Sequence, residues 1–175
     1  MHDVIVIGSG PGGYTAAVLC ARKGMKTAII EKEYLGGTCL NFGCIPTKAL
    51  VSSARMFTAV KNCSAMGIYA DNPRFDHNVI HDRKDRIVTD IRSGLEKLIK
   101  THGIEIISSK AILRKERKIS VTGNDKRISE FYAKNIILAT GSVARQLPFL
   151  TEDGIKIMSS NHTLESREIP EKLAI

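Results

Sequence analysis

The sequence has no apolar run long enough to cross a bilayer. Its longest apolar stretches are short, residues 136–139 among them, whereas a membrane-spanning helix needs about 20 consecutive apolar residues. The first seven residues lead directly into a strand pattern, with neither the basic segment nor the cleavage site of a secretory signal. We therefore expect no membrane partner and a cytoplasmic location.

Aromatic residues are scarce, at 5% of the chain, and no nucleic-acid-binding signature is present. The formal net charge of +8 would otherwise suggest a nucleic-acid partner. The basic residues lie mainly in segments 83–100 and 110–134, where aspartate and glutamate are interleaved with them. This mixture is typical of solvated faces, so we expect no nucleic acid to bind. A docking surface for an acidic partner is the alternative.

Cysteines are few, and only Cys39 and Cys44 are close in sequence. A zinc site would need two further ligands at matching spacing, so the pattern favours no metal. In reducing surroundings a close cysteine pair is more often catalytic than structural. Taken alone, the pair also allows a structural disulfide, a metal pair or two buried thiols. Outside it, Cys20 and Cys63 are isolated, and the histidines form no paired pattern: His2, His77, His81, His102 and His162.

The chain does contain the pattern of a strand–helix–strand unit. Charged residues make up 25% and hydrophobic residues 43%, and 175 residues allow one globular domain with a core. Residues 4–7 form an apolar, β-branched run typical of a buried parallel strand. Residues 13–23 are helix-compatible, Gly24 is a natural stop, and residues 26–30 form a second strand.

Three glycines of this unit, Gly8, Gly10 and Gly13, match the pattern G-x-G-x-x-G. The first allows a tight turn, the second lets the backbone approach a pyrophosphate, and the third lets helix and strand pack closely. Glu31 ends the second strand, where a carboxylate binds the hydroxyls of an adenosine ribose. The unit predicts a bound dinucleotide without a 2′-phosphate. The alternative is a glycine-rich turn that binds no ligand.

Segment 36–50 follows, and the rest of the chain is arranged around its two cysteines. On a regular helix the five steps from Cys39 to Cys44 would rise about 7.5 Å, whereas the Cα atoms of a disulfide usually lie about 4.4–6.8 Å apart. If the cysteines pair, the segment must bend, and Gly43 gives it the freedom to do so. Because Pro46 is favoured at the first position of a helix, we predict a helix starting near Pro46 with Cys44 just outside it.

This position favours the thiolate of Cys44. The positive end of the predicted helix lies beside the sulfur, and Lys48 adds an ammonium group four residues on. We therefore predict a redox dithiol with one activated sulfur.

Downstream segments predict two helices and a mixed sheet. The helix from Pro46 continues to about residue 61, and Asp76 caps a long helix that reaches Thr101. An antiparallel meander then follows a strand of the parallel sheet, with a turn at 122–125. The strand of the parallel sheet is predicted at 104–107. The strands of the meander are predicted at 111–113, 118–121 and 127–132.

A separate strand at 135–139 returns the chain to the main sheet. It ends in Thr140, Gly141 and Ser142, at the carboxyl edge where ligands of such folds collect. Beyond it, residues 159–162 can cap a short helical turn, and residues 173–175 look like the opening of another buried strand. The predicted fold class is α/β, a Rossmann-like parallel sheet with a βαβ dinucleotide-binding unit and an inserted antiparallel β-meander.

In combination, the glycine fingerprint, the acidic residue, the cysteine segment and the Ala-Thr-Gly strand resemble the flavoprotein disulfide reductases. The segment Gly-Gly-Thr-Cys-Leu-Asn-Phe-Gly-Cys-Ile-Pro-Thr-Lys-Ala-Leu looks most like the dihydrolipoamide dehydrogenases of that family. Glutathione and mercuric reductases are similar here but more often carry valine where this chain has Leu40 and Ile45. The resemblance covers essentially the whole chain, but only the first part of the family's chains.

The resemblance implies that the dinucleotide is FAD. Cys39 would exchange disulfides with the substrate, and Cys44 would stack on the flavin as a charge-transfer thiolate. Lys48 would lie near the reactive edge of the flavin, and Ala111 would contact the adenine through its backbone. The ADP half would be held by Gly8, Gly10, Gly13, Glu31, Lys32, Gly37 and Thr38, and the flavin site would be lined by Thr140, Gly141 and Ser142.

The implied reaction is the oxidation of protein-bound dihydrolipoamide through the dithiol and FAD to NAD. The implied partners are a lipoyl domain of a 2-oxoacid dehydrogenase complex or of the glycine cleavage system, and a second copy in a full-length homodimer. Residues 1–145 would form the FAD-binding domain and residues 146–175 a connection toward an absent nicotinamide-binding domain.

The family's second dinucleotide fingerprint, its acidic flavin-ribityl residue and its C-terminal interface domain are not found in this sequence. We therefore expect a truncated chain, beginning at the native N-terminus, that does not complete the turnover. The alternatives are another disulfide reductase, of the mercuric or glutathione type, and a non-catalytic FAD-binding module.

Overall fold

A computed structural model of the chain describes residues 1–122, 128–145 and 147–175. The chain divides into two compact units, which are described separately. The first contains residues 1–41 and 90–143, and the second contains residues 42–89 and 144–175. The boundary near residue 145 expected between two domains stays a prediction.

The first unit is built on a mixed sheet whose six described strands have the order β3-β2-β1-β6-β5-β4. The parallel part pairs β1 with β2 and β6, and β2 with β3. The antiparallel part pairs β5 with β4 and β6. The strands are β1 (His2–Ile7), β2 (Thr27–Glu31), β3 (Glu105–Ser108), β4 (Lys110–Leu113), β5 (Lys118–Thr122) and β6 (Ile128–Leu138).

Strand β6 corrects one expectation. Separate strands were predicted at 127–132 and 135–139, but residues 128–138 form one strand of 11 residues. Its first half pairs antiparallel with β5, as in Ser120 opposite Glu130, and its second half pairs parallel with β1, as in Val6 opposite Ile137. Because no glycine or proline separates the halves, the extended backbone continues from one pairing into the other. The predicted turn at 122–125 and the start of the strand at Arg127 lie largely outside the described residues.

Helix α1 (Pro11–Arg22) connects β1 to β2 and starts earlier than the predicted residue 13. Pro11 occupies the first helical position, where its missing N–H costs nothing and its fixed φ suits the helix. Gly24 follows with φ +78°, as expected for the residue that ends this helix. The predicted βαβ unit is therefore confirmed, with most of its strand and helix boundaries shifted by one or two residues.

The core of the first unit lies where the two parts of the sheet meet. Its buried side chains come from the parallel strands and from the antiparallel strands alike, so one apolar cluster joins both parts. The cluster consists of Ile5, Ile7, Ala28, Ile30, Ile119, Val121 and Ala133.

The second unit contains α3 (Cys44–Lys61), the first half of α4 (His77–Thr101) and the short helix α5 (Ser160–Glu165). The Asp76 side chain accepts a hydrogen bond from the Val79 amide at 3.1 Å, which confirms it as the cap of α4. Arg83 Nη1 donates to the Ala49 carbonyl of α3 at 3.2 Å. Among the residues described, no helix combines the length and apolar character needed to cross a bilayer.

The segment around α5 is held against α4 by charged side chains. Lys84 Nζ donates to the Leu164 carbonyl at 3.0 Å, and Arg167 pairs with Asp82 and Asp85 at 2.7 and 2.8 Å. Ser159, which belongs to the segment 159–162 predicted to cap a helical turn, is the N-cap of α5.

Residues 173–175 correct a second expectation, because they are exposed and form no strand. A strand needs a neighbour to pair its backbone groups, and none of the described strands pairs with this segment.

Candidate functional site

The turn after β1 needs glycine for steric reasons. Gly8 has φ +98°, and a Cβ atom there would lie 2.2 Å from the Ala139 carbonyl oxygen. A Cβ atom on Gly13 would lie 2.0 Å from the Gly8 carbonyl oxygen. The first glycine thus lets the end of β1 approach the end of β6, and the third lets α1 pack on the turn. Thr140 is brought to the same place, with its Cα atom 3.2 Å from the Cβ position of Gly8.

At Gly10 and Gly12 the space beside the backbone is open, because a Cβ atom added to either residue would have no heavy atom within 4 Å. Gly10 is the N-cap residue of α1, and the helix N-terminus has no side-chain capping hydrogen bond. The first amides of a helix need acceptors from outside the helix. An open space in front of uncapped amides fits a phosphate group, so the glycine turn has the shape and chemistry of a dinucleotide cradle.

Glu31 lies at the end of β2 and is tied to the glycine turn through Ser9. Its Oε2 atom accepts hydrogen bonds from the Ser9 amide at 2.9 Å and from the Ser9 hydroxyl at 2.6 Å. Its Oε1 atom accepts from the amides of Lys32 at 2.8 Å and Glu33 at 3.1 Å. Both carboxylate oxygens are therefore held by hydrogen bonds from this chain. The Lys32 side chain is exposed.

Ser9 also binds the segment that leads to the cysteines. The Gly36 amide donates to the Ser9 carbonyl at 3.1 Å and lies 3.2 Å from the Ser9 hydroxyl. The next residue, Gly37, has φ +59°, and a Cβ atom there would lie 2.9 Å from the Gly10 Cα atom. The start of α2 (Gly37–Phe42) is therefore packed directly against the cradle. Thr38 is the second residue of this helix and is exposed.

Two further side chains steady α2 within the first unit. The Asn41 amide donates to the carbonyls of Leu35 and Gly37, both at 2.9 Å. The Arg92 guanidinium lies 4.9 Å from the ring centroid of Tyr34 and 3.5 Å from the Asn41 side-chain oxygen. Sequence reading missed Ser9, Asn41 and Arg92, because no motif fixes them and the packing of distant segments brings them together.

Gly43, the residue expected to let the segment bend if the cysteines pair, divides the cysteine segment into two helices. Cys39 lies in α2 and is half-buried, whereas Cys44 is the first residue of α3 and carries an exposed free thiol. Gly43 lies between the helices with φ −143° and ψ −111°. The two sulfurs are therefore carried by two successive helices rather than by one.

The start of α3 corrects the prediction, because the helix begins at Cys44 and not near Pro46. The Thr47 amide donates to the Gly43 carbonyl at 3.0 Å, which places Pro46 inside the first turn. Proline is tolerated there because the first amides of a helix have no helical acceptor. Cys44 therefore occupies the N-terminal turn itself. Lys48, one turn further along α3, is exposed.

The other predicted residues are placed as follows. Ala111 lies in β4, pairs with Val121 and packs against the core of the first unit. Gly141 has φ +67°, and Thr140, Gly141 and Ser142 are all exposed beyond the end of β6.

Within the described ranges, no group of three or more histidine, cysteine, aspartate and glutamate side chains could hold a metal ion.

A parallel βαβ unit with an open glycine turn at a helix N-terminus defines a dinucleotide-binding α/β domain. The sequence pattern of one family, described as pyridine nucleotide-disulphide oxidoreductase, matches residues 2–175. The chain therefore belongs to the pyridine nucleotide-disulphide oxidoreductase family, which confirms the resemblance seen in the sequence.

Individual relatives agree with this assignment. The chain is 42% identical over 173 residues to a dihydrolipoyl dehydrogenase of Chlorobaculum tepidum and 39% identical over 175 residues to one of Zymomonas mobilis. Each match covers 99% of this chain but only 37% of the relative, so the chain spans little more than a third of their length. The crystal structure of LpdA from Mycobacterium tuberculosis superimposes with a TM-score of 0.86 at 24% identity, covering 96% of this chain and 38% of that one. This likeness confirms the predicted α/β fold.

Proposed function

We propose that this chain is the FAD-binding, thiol-bearing part of a dihydrolipoyl dehydrogenase, which oxidises protein-bound dihydrolipoamide and passes the electrons to NAD. The observation that carries the proposal is the contact between the glycine cradle and the start of α2. A dinucleotide cradle directly against a cysteine-bearing helix is the arrangement that a flavin-linked thiol oxidoreductase needs. The names of the relatives support the choice of dihydrolipoamide as substrate.

FAD would be held mainly by backbone groups. The open space at Gly10 and Gly12 fits its pyrophosphate, and the uncapped amides of α1 offer hydrogen bonds to the phosphate oxygens. We assign the ribose of the ADP half to Glu31, with Lys32, Gly37 and Thr38 beside it. When bound, FAD supplies two-electron transfer between the thiol pair and NAD.

The thiol pair would carry the exchange with the substrate. In the oxidised chain a bond joins Cys39 and Cys44, and a thiolate of dihydrolipoamide attacks the Cys39 sulfur. The Cys39–Cys44 bond breaks, and Cys44 leaves as the thiolate. The second substrate thiol then displaces Cys39, which closes the lipoamide disulfide and leaves two reduced cysteines. Two electrons and two protons thus pass from the substrate to the pair.

The position of Cys44 suits the role of leaving sulfur. It lies in the first turn of α3, where the helix dipole stabilises a negative charge. We assign Lys48 to the reactive edge of the flavin, Thr140, Gly141 and Ser142 to the lining of its site, and the Ala111 backbone to the adenine. These roles follow the family resemblance.

The proposal extends to partners and compartment. The substrate would be the lipoyl domain of a 2-oxoacid dehydrogenase complex or of the glycine cleavage system, and the complete enzyme would be a homodimer. A pair that cycles between dithiol and disulfide works where other thiols stay reduced, so we propose a cytoplasmic location. We keep the boundary of the FAD-binding domain near residue 145.

Stoichiometric disulfide exchange tests the proposal. The chain is reconstituted with FAD, oxidised and mixed anaerobically with one equivalent of dihydrolipoamide, and the lipoamide formed is counted. We expect about one lipoamide per chain, none with Cys39→Ser, and an unchanged yield with Cys63→Ser. Cys63 is the matched control because its thiol is buried and donates to the Val60 carbonyl.

Two outcomes would contradict the proposal in different ways. Retention of FAD through gel filtration without any thiol exchange would leave a non-catalytic binding module. Exchange with glutathione that equals or exceeds exchange with dihydrolipoamide would move the chain to the glutathione-reductase type.

A further inference from the structure

Arg92 connects α4 to the segment that carries Cys39, and the function proposed above gives it no role. Its guanidinium carbon lies 4.9 Å from the ring centroid of Tyr34, within the range of about 6 Å for a cation–π contact. Its Nη1 atom lies 3.5 Å from the side-chain oxygen of Asn41. All three residues belong to the first unit, where Arg92 is half-buried.

Helix α2 depends on such contacts, because it has only six residues. Isolated helices shorter than about 12–15 residues are marginal in water, so the contacts of α2 set its direction. At its start, the Gly36 amide binds Ser9, and Gly37 lies against Gly10. In its middle, the Leu40 side chain is buried. These contacts leave the far end of the helix to be fixed by another.

Asn41 and Arg92 supply the contact at that end. The Asn41 side-chain amide donates to the carbonyls of Leu35 and Gly37, both at 2.9 Å, which ties the end of α2 to its start. Arg92 contacts the Asn41 oxygen and the Tyr34 ring at the same time. A planar guanidinium is suited to two such contacts, whereas an ammonium group is a single point of charge. Arg92 therefore joins both the lead-in segment and the end of α2 to α4.

This contact lies on the side of α2 opposite Cys39. At 3.6 residues per turn, residues 39 and 41 point about 200° apart around the helix. Arg92 is therefore not a catalytic group, since it acts on the thiol only through the direction of the helix.

We propose that Arg92 is a positioning residue for the Cys39 thiol, an inference that rests on the redox function proposed above. By fixing α2 in the reduced chain, Arg92 holds the sulfur ready to close the bond with Cys44. Without Arg92, α2 gains freedom in the reduced chain, whereas in the oxidised chain the bond still holds it. Loss of Arg92 therefore shifts the equilibrium toward the dithiol, because less pre-organised groups react together less readily.

Titration in glutathione redox buffers measures this equilibrium on the full chain without FAD. The reduced chain and one glutathione disulfide give the Cys39–Cys44 disulfide and two glutathione thiols, so electrons and protons balance. Peptide mapping by mass spectrometry counts the chains that carry this disulfide.

The equilibrium constant for disulfide formation should fall about tenfold in Arg92→Met, which keeps an unbranched side chain but removes both contacts. Arg92→Lys keeps the charge and should lower the constant by a smaller factor. Arg86→Met is the matched control, because it removes an exposed arginine from the same helix. It should change the constant by about twofold or less.

A double-mutant cycle tests whether Arg92 acts through the tyrosine. Tyr34→Leu should lower the constant in part, whereas Tyr34→Phe keeps the ring and should leave it unchanged. The fold-change caused by Arg92→Met should be smaller in a chain that already carries Tyr34→Leu, as expected for residues in contact.

An arginine that only stabilised the fold would stabilise both redox states alike, so an unchanged constant in Arg92→Met would overturn the proposal. An equal fall in Arg86→Met would overturn it too, because net charge would then explain the effect. If the unmodified chain formed no Cys39–Cys44 disulfide in any buffer, the proposed redox function would fail and this role of Arg92 with it. Circular dichroism establishes that each variant is folded. Were Arg92→Met unfolded, Tyr34→Leu, which leaves the arginine in place, would decide in the same way.

Discussion

At the scale of single residues, Ser9 does more in this site than the glycine motif suggests. The motif leaves this position open, yet the Ser9 amide and hydroxyl both bind Glu31, and its carbonyl and hydroxyl both receive the Gly36 amide. Ser9 is fully buried. One side chain thus links the carboxylate proposed for the ribose with the segment that leads to Cys39.

Ser9→Ala tests this link. The change removes a hydrogen bond to a charged oxygen, so we expect the free energy of unfolding to fall by about 1–2 kcal/mol in urea titrations. It also loosens Glu31, so the preference for ADP over 2′-deoxy-ADP should decrease toward one. Ser53→Ala is the control, because that hydroxyl makes only a long contact of 3.4 Å with the Ala49 carbonyl.

An equal loss of affinity for both nucleotides would show that Ser9 supports the fold without positioning Glu31. If neither nucleotide bound to the unmodified chain, the dinucleotide proposal itself would fail.

At the scale of helices and strands, features set by a few neighbouring residues could be predicted from the sequence. Features set by contacts between distant segments could not. Asp76 and Gly24 mark helix ends through contacts within a few residues, and both were read correctly. The steric demands at Gly8 and Gly13 were also foreseen, because the motif encodes them. The start of α3 was predicted two residues too late. Proline is allowed throughout the first turn of a helix, so the position of Pro46 in the sequence does not determine at which residue the helix begins. The continuity of β6 depends on which strands pair with it.

Helix α4 gives a pH-dependent prediction through His81. Burial lowers the pKa of His81 in the folded chain below its usual value of about 6.5, and Lys84, His77 and Arg167 lower it further, against an opposing effect of Asp85. As the pH falls below about 6.5, the unfolded chain binds a proton that the folded chain does not. The free energy of unfolding should therefore decrease, by at most about 1.4 kcal/mol per pH unit, until the folded pKa is reached.

Urea titrations between pH 7.5 and pH 5 would measure how the free energy of unfolding changes with pH. This pH range lies above the usual pKa values of carboxylates, about 4, so carboxylates contribute little to the change. His81→Leu should flatten this pH dependence, and His102→Gln should not. A slope that is the same in all three chains would assign the acid sensitivity to other groups.

At the scale of the whole molecule, the first unit depends on a sheet that changes from parallel to antiparallel pairing along β6. The candidate site lies at the carboxyl ends of the parallel strands, where Glu31 ends β2 and the glycine turn and Thr140 follow β1 and β6. The meander contributes buried side chains to the same apolar cluster. Sequence reading gave the parallel half and the presence of a meander, but it could not show that the two halves share one core. Such sharing depends on contacts between residues more than 80 positions apart.

Ile119→Ala tests whether the two halves of the sheet unfold together. Ile119 belongs to β5, is fully buried, and lies in the cluster that contains Ile5 and Ile30 of the parallel strands. Truncation leaves a cavity in this cluster, so the free energy of unfolding should fall by about 2–5 kcal/mol. Ile128→Ala on β6 is the control, because Ile128 is 67% exposed and its loss should change stability by about 0.5 kcal/mol or less.

Amide hydrogen exchange shows which strands respond. Because one cluster joins the halves, amides of β1 and β5 should lose protection by the same factor in Ile119→Ala, as expected for a single cooperative unit. The cradle at the end of β1 should then lose affinity for ADP only in proportion to the unfolded fraction. If β5 lost protection while β1 kept it, the meander would be an independent folding unit. The parallel half would then hold the dinucleotide site without it.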